Sequence, residues 1–401
     1  MFWQISALAA RPLIRGWLKY STDSWRNLAK PLDWPRVHSP GANPDRLLLA
    51  GDGAVAGWGV LAHELSLAGY LARRITVVTG RAVDVDIVAG SGMTAALCLQ
   101  ALSSLDFSRF DAVVVSVGTS EALGLAPLKR WRRDMEALID RIESDALSGV
   151  ETFVLSVPPF GSNGAFPRIL ARLVDAHTDR LNRITGSICL TRPHTTFIET
   201  TPSDSRRYRG AGTYERLAMW LAPLISTRLA PPSGLDGRLE EPDELGRQLA
   251  LTSLGILDTA RGESFDLITA AAQNLFGVPM AAVTFIDKER QWFKSAQGLP
   301  GDETLRSDAF CDITIRRATH FVVEDTTRDP RFVANPFTTG PTAVRFYAGY
   351  PIESPDGHRI GALCIMDHQP REFTTMDASL LRDLALRVQD LVWGAAPPLS
   401  T

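Results

Sequence analysis

The stretch Asp111-Ala-Val-Val-Val-Ser-Val117 limits this chain's possible folds more than any other. As a strand it has no polar side, so both of its faces must be covered. Comparable short apolar runs fall at 46–50, 83–89 and 152–157, with amphipathic helical patterns near 58–74, 94–105, 128–147 and 166–185 between them. Strands and helices alternating at this spacing are βαβ units, which build a parallel sheet with helices on both faces. Residues 45–228 are therefore expected to form an α/β domain.

At 401 residues the chain is long enough for two domains. The Pro/Gly segment from Ala230 to Pro242 reads as the core of a linker over 229–242. Beyond it the rhythm changes. A helix is predicted at 264–276, with Phe265, Ile268, Ala272 and Leu275 on one face and Gly277 as its stop. Strands follow at 280–286, 290–296, 320–324, 346–352 and 359–366. A last helix opens at Thr374 or Thr375 and aligns Leu381, Leu384, Val388 and Leu391. This pattern is an α+β domain over 243–394, followed by a tail, 395–401.

A net charge of −3 gives no bulk attraction to nucleic acid, and no such partner is expected. Cys98, Cys189, Cys311 and Cys364 are scattered without metal-ligand spacing. They fit a reducing cytoplasm, and neither a metal nor a cofactor is expected. No apolar run approaches the ~20 residues of a membrane span. Residues 1–44 form an N-terminal arm that mixes Arg11, Arg15, Lys19, Arg26, Lys30 and Arg36 with Trp3, Trp17, Trp25 and Trp34. Arg11 and Arg15 break the apolar core that a signal peptide would need. Residues 1–40 could lie as a helix on a membrane surface. Packing on their own domain or on a partner is the favoured reading.

The loops after successive strands carry Gly51-Asp52-Gly53, Gly90-Ser91-Gly92, Gly118-Thr119-Ser120-Glu121 and then Asp204-Ser205-Arg206-Arg207-Tyr208. This block order resembles the SGNH (GDSL-type) hydrolases. The resemblance implies a flavodoxin-like, three-layer fold around a parallel sheet. It also places Gly53 at the serine nucleophile and Gly92, or Gly90, at the backbone donor of the oxyanion hole. Ser120 takes the position of the oxyanion asparagine, Glu121 that of the adjacent aspartate, Asp204 that of the acid and Arg207 that of the histidine base. Glycine cannot attack an ester, and arginine remains protonated at neutral pH. No catalytic residue is therefore expected. Ser91 and Ser116 have no evident basic partner. His63 is read inside the helix after Gly53, pointing away from the mouth, and His177 and His194 are left unplaced. The glycines offer backbone N–H groups for an anion or simply make tight turns; the turns are favoured. Arg206, Arg207 and Arg209 could add positive charge.

In the second half, Ala282 to Lys294, Asp308 to Cys311, Val323 to Asp325, Asp329 to Phe332, Arg345 to Pro351 and Gly361 to Asp367 follow in an order that resembles the GAF domain. The closest subtype is the one that precedes histidine kinases and diguanylate cyclases. The resemblance implies an antiparallel sheet flanked by helices. It also implies a pocket drawing on Phe285, Phe310, Cys311, Phe332, Phe346 and Tyr347, each of which also reads as plain core. Asp287, Asp325 and Asp367 are expected to end strands and fix turns. The cyclic-nucleotide signature is missing, since Asn335-Pro336-Phe337 lacks its lysine and acidic pair. The bilin-anchoring Cys-His pair is also missing, since Asp312 follows Cys311. Cys311 and Cys364 read as buried apolar residues, with a redox-sensing thiol as the alternative. No kinase, cyclase or DNA-binding module is read after 394.

The expected protein is non-catalytic, cytoplasmic and sensory or regulatory. Its GAF domain would sense an unidentified small molecule or dimerise through terminal helices near 245–254 and 375–393. Its SGNH-like domain would be a platform for a ligand or a protein. The alternative is a GAF-regulated esterase or acetylhydrolase with unconventional catalytic residues.

Overall fold

A computed structural model of the chain describes every residue except 1, 22–27, 145–149, 162–166, 201–210, 230–242 and 395–401. Most of the expected linker and the whole tail thus lie outside the described residues. The chain divides into two compact units, one of 1–39 with 44–231 and one of 40–43 with 232–401.

The first unit opens with helix α1 (Phe2–Tyr20), whose Ala10 and Ile14 are buried in the same core as Leu48 and Val113. Arg11 donates to the Leu125 carbonyl at 2.8 Å. The basic N-terminal segment thus packs on its own unit. Next come β1 (Arg36–His38), β2 (Asp45–Gly51), α2 (Leu67–Thr79), β3 (Val83–Ala89), α3 (Ala95–Ala101) and β4 (Ala112–Ser116). The unit continues with α4 (Thr119–Leu123), α5 (Leu128–Ser144), β5 (Glu151–Leu155), α6 (Arg168–Cys189), β6 (Thr195–Ile198) and α7 (Ala211–Ser226).

The sheet order is β1-β3-β2-β4-β5-β6, with all neighbours parallel except β1 and β3. Without β1 this is the flavodoxin-like order, reversing at β2. Leu48, Ala50, Val113 and Val115 face α3, α5 and α6, while Leu47, Leu49 and Val114 face α2 and α7. Both sheet faces are therefore buried, as the run at 111–117 requires; each fully buried valine contributes about 1.5–3 kcal/mol.

Among the elements of this unit that were not anticipated are β1, β6 and α7. β1 and β6 have three and four residues, too short for an alternation pattern to register. β1 is held on β3 by side chains: Arg36 pairs with Asp86, and His38 Nδ1 lies 2.7 Å from Asp84. The third, α7, carries a proline, Pro223, inside it. The helix expected from residue 58 starts only at Leu67, because Gly57 and Gly59 adopt positive φ and a 3-10 turn (His63–Leu65) intervenes. Ser66 sets the new start by accepting the Ala68 N–H.

The second unit runs α8 (Glu244–Leu254), α9 (Glu263–Phe276), β7 (Met280–Ile286), β8 (Arg290–Gln297), β9 (Glu303–Leu305) and α10 (Phe310–Thr314). It closes with β10 (Phe321–Val323), α11 (Pro336–Thr339), β11 (Phe346–Glu353), β12 (Arg359–Asp367) and α12 (Thr375–Gly394). Its six strands pair antiparallel throughout, in the order β10-β11-β12-β7-β8-β9. The short strand β9 was not anticipated. Thr374 caps α12, accepting the Asp377 N–H at 3.2 Å. On α9 the buried stripe passes through Thr269, whose hydroxyl meets Ser295 Oγ at 2.8 Å, and Leu275 is 52% exposed instead. On α12 the buried residues of the last turn are Val392 and Trp393, and Leu391 is only half-buried.

Candidate functional site

The carboxyl ends of β2, β4 and β5 open on one side of the first unit, where open α/β sheets place their ligands. β2 passes β4 so closely there that a Cβ on Gly51 would stand 2.0 Å from the Ser116 carbonyl oxygen, with φ at +126°. Only glycine fits that position. The next residue, Asp52, is buried. Its Oδ1 accepts the N–H of Gly53 at 2.7 Å and its Oδ2 accepts the N–H of Gly92 at 3.0 Å. One carboxylate thus joins the first block to the second. Both N–H groups are turned inward to Asp52, so the glycines form turns around an internal anion.

Gly53 begins a 3-10 turn (Gly53–Ala56) with φ at +67°. A Cβ there would have Thr119 Oγ1 at 3.7 Å and Ser116 Oγ at 3.9 Å as its nearest neighbours. The position expected from the sequence for a nucleophile therefore has room for a side chain and carries none. In front of it lies a cavity of about 170 Å³, whose lining includes Trp58, Ser116, Thr119, Phe160, Tyr214 and Leu217. None of the described lining residues is charged.

The remaining expected positions divide sharply. Ser120 Oγ lies 3.9 Å from the Cβ point of Gly92, and Ser120 is not among the residues lining the cavity. Glu121 turns into the unit, where its Oε1 accepts the Ala95 N–H at 2.7 Å and so caps α3. Asp204, Arg206, Arg207 and Arg209 lie outside the described residues. His63 starts a 3-10 turn instead of sitting inside a helix, with Nδ1 2.8 Å from Asp33 Oδ1. The neighbouring Ser66 donates to the His63 carbonyl, so the three residues do not form a nucleophile–base chain. His177 is buried, and burial pushes it down to about 4, leaving it neutral at pH 7. His194 lies 3.1 Å from Glu151. None of the three lines the cavity.

Sequence reasoning missed the loop Ser156 to Phe160 and the α7 residues Thr213, Tyr214 and Leu217. The loop follows the fourth strand, so the rule that selected the first three loops would have found it. The α7 residues carried no such signal.

Burial raises the Glu121 carboxyl above its ordinary 4.5, against the hydrogen bond from Ala95. Folding is therefore favoured while this group is protonated, and that contribution is lost as pH rises from about 4.5 through the folded value. Glu121→Gln keeps an acceptor for Ala95 and never ionises. It is expected to match the parent in urea unfolding at pH 4 and to exceed it at pH 8.

In the second unit, Phe310, Cys311, Phe332 and Tyr347 come together on one sheet face. The Phe310 ring stacks 4.4 Å from Phe332 and 4.9 Å from Tyr347. The Tyr347 hydroxyl meets Thr314 Oγ1 at 2.6 Å and Cys311 Sγ at 3.2 Å. The void left among them is about 10 Å³, room for about one water. Phe285 and Phe346 are not in this group. They lie on the opposite face, where Phe285 stacks on Trp292 and Phe346 packs against Phe373. Asp287 and Asp325 accept the N–H of Lys288 and Thr327, and Asp367 that of Gln369, so all three fix turns at strand ends.

Residues 261–389 match the family model of the GAF domain. This part of the chain is a GAF domain. The chain is 39% identical over 144 residues to a cyclic di-GMP phosphodiesterase of Pseudomonas aeruginosa. That stretch covers 36% of this chain and 24% of the relative, so the chain spans about a quarter of that protein's length. Among solved structures, a GAF domain of an Acinetobacter phosphoenolpyruvate-protein phosphotransferase is similar at 16% identity and TM-score 0.28, over 36% of this chain and 92% of that one. A lipase/acylhydrolase from Enterococcus faecalis is similar at 20% identity and TM-score 0.33, over 47% of this chain and all of that one. Among the described residues, no group of three His, Cys, Asp or Glu is placed to hold a metal ion, and no helix is long and apolar enough to cross a membrane.

Proposed function

We propose that this is a non-catalytic sensory or regulatory protein of the cytoplasm. Its GAF domain responds to a small molecule or mediates self-association, and its α/β unit serves as a binding platform. The observation that carries this reading is Gly53, a bare nucleophile position facing an open cavity. No described residue lining that cavity is a histidine, carboxylate or lysine that could serve as a base. Four free, buried cysteines support a reducing compartment. Leu245 and Leu249, 72% and 63% exposed one turn apart on α8, support self-association through that helix. The relative's name supports a place in signalling, while its cyclic di-GMP chemistry is left with the larger protein.

Ser116 favours a second reading, an esterase or acetylhydrolase working from that hydroxyl under GAF control, because its Oγ lies 3.9 Å from the Gly53 Cβ point. Turnover of p-nitrophenyl acetate decides between the two. The full chain is expected to hydrolyse it at the buffer rate, unchanged by Ser116→Ala. Turnover well above buffer that disappears in Ser116→Ala would replace the first reading with the second.

A further inference from the structure

We propose that the small-molecule site of this protein is the mouth of the α/β unit, not the interior of the GAF domain. Its ligand is an uncharged molecule with a compact apolar body and one hydrogen-bond acceptor. This rests on the non-catalytic reading only in that the molecule is held and not cleaved.

Size separates the two places. The GAF interior is filled by stacked rings and keeps about 10 Å³, whereas the mouth keeps about 170 Å³. An apolar cavity of roughly 150 Å³ is enough to hold a benzene. Gly53 adds to the space, since a side chain there would project toward Ser116 and Thr119.

Lining chemistry then selects the ligand. Trp58, Leu155, Pro158, Pro159, Phe160 and Leu217 supply apolar walls, and no charged side chain stands among the described lining residues. An ion placed there would lose its hydration with no counter-charge from the described lining residues. The polar groups differ in how far they are committed. Ser156 and Thr200 are bonded to each other at 2.8 Å. The Ser116 and Thr119 hydroxyls make no hydrogen bond with a described residue, and both lie beside Gly53. Two adjacent donors of this kind suit one carbonyl or hydroxyl oxygen. Asp52 fixes the glycine turns around them, so the site is formed before the ligand arrives.

The test is calorimetric titration of the full chain with n-hexanol and with n-hexanoate, which differ in charge and share a chain length. The alcohol is expected to bind, with the carboxylate at least about tenfold weaker. Ala54→Leu fills the cavity from the turn and is expected to weaken the alcohol at least about tenfold. Leu217→Phe fills it from α7 and covers the case in which Ala54→Leu loses its fold. Ser116→Ala removes one donor at little change in volume and is expected to weaken the alcohol about threefold. Equal affinity for alcohol and carboxylate, or alcohol binding unchanged in a folded filled variant, would overturn the proposal. So would no binding of the alcohol at all. Binding together with ester turnover would keep the site and overturn the non-catalytic reading; no binding and no turnover would do the reverse.

Discussion

Gly51→Ala is expected to destabilise the first unit by about 3–5 kcal/mol, adding a left-handed backbone penalty to an unrelieved contact. The added methyl would lie 2.0 Å from the carbonyl oxygen of Ser116 and 2.7 Å from its carbonyl carbon. Those atoms belong to the strand that pairs with β2, and Ser116 O also accepts the Asp52 N–H at 2.7 Å. They cannot move aside without opening the sheet. For a unit of this size the melting temperature should fall by roughly 6–20 °C. Gly53→Ala provides the contrast. Its Cβ has open space, with the nearest atoms at 3.7 and 3.9 Å, so only the positive φ costs, about 1–2 kcal/mol. Calorimetric melting of both variants checks the pair. Equal losses would mean that the close approach at Gly51 is not what fixes the turn.

Asp52→Ala is the second large effect, expected at about 2–4 kcal/mol because it orphans two backbone N–H groups at once. Gly53 and Gly92 would each lose an acceptor, at 2.7 and 3.0 Å, in a place that Asp52 keeps from water at 1% exposure. Asp52→Asn keeps one oxygen but turns an amide N–H₂ toward the other donor, so about half of that loss is expected. Urea midpoints at constant slope measure both. Asp52 therefore acts as an internal staple. The Gly92 N–H, expected from the sequence to serve an oxyanion hole, is held by a neighbouring carboxylate.

Much of this architecture was legible in the chain. The doubly covered strand at 111–117 and its spaced companions set the parallel sheet, because short valine-rich runs alternating with amphipathic helices are βαβ units. Strand ends marked by glycine then located two of the loops that line the cavity, those after β2 and β4. What escaped has physical causes. β1 and β6 are shorter than the period needed to recognise them, and β1 depends on cross-strand pairing of Arg36 and His38. With α7 unrecognised, Tyr214 and Leu217 could not be placed beside Gly53. In the GAF domain the division of Phe346 from Tyr347 was available in principle, since neighbours in a strand point to opposite faces. The same alternation separates Phe285 from Ala282 and Ile286, since β7 pairs with β12 without a shift.

The most direct test of the central claim, a hydrolase-like scaffold without its nucleophile, is the intact mass of the full chain after incubation with a fluorophosphonate probe. The account predicts an unchanged mass, with Gly53→Ser as the comparison that restores a hydroxyl at the vacant position. Stoichiometric addition to the unaltered chain, mapped to Ser116 or to any other serine of the first unit, would contradict it.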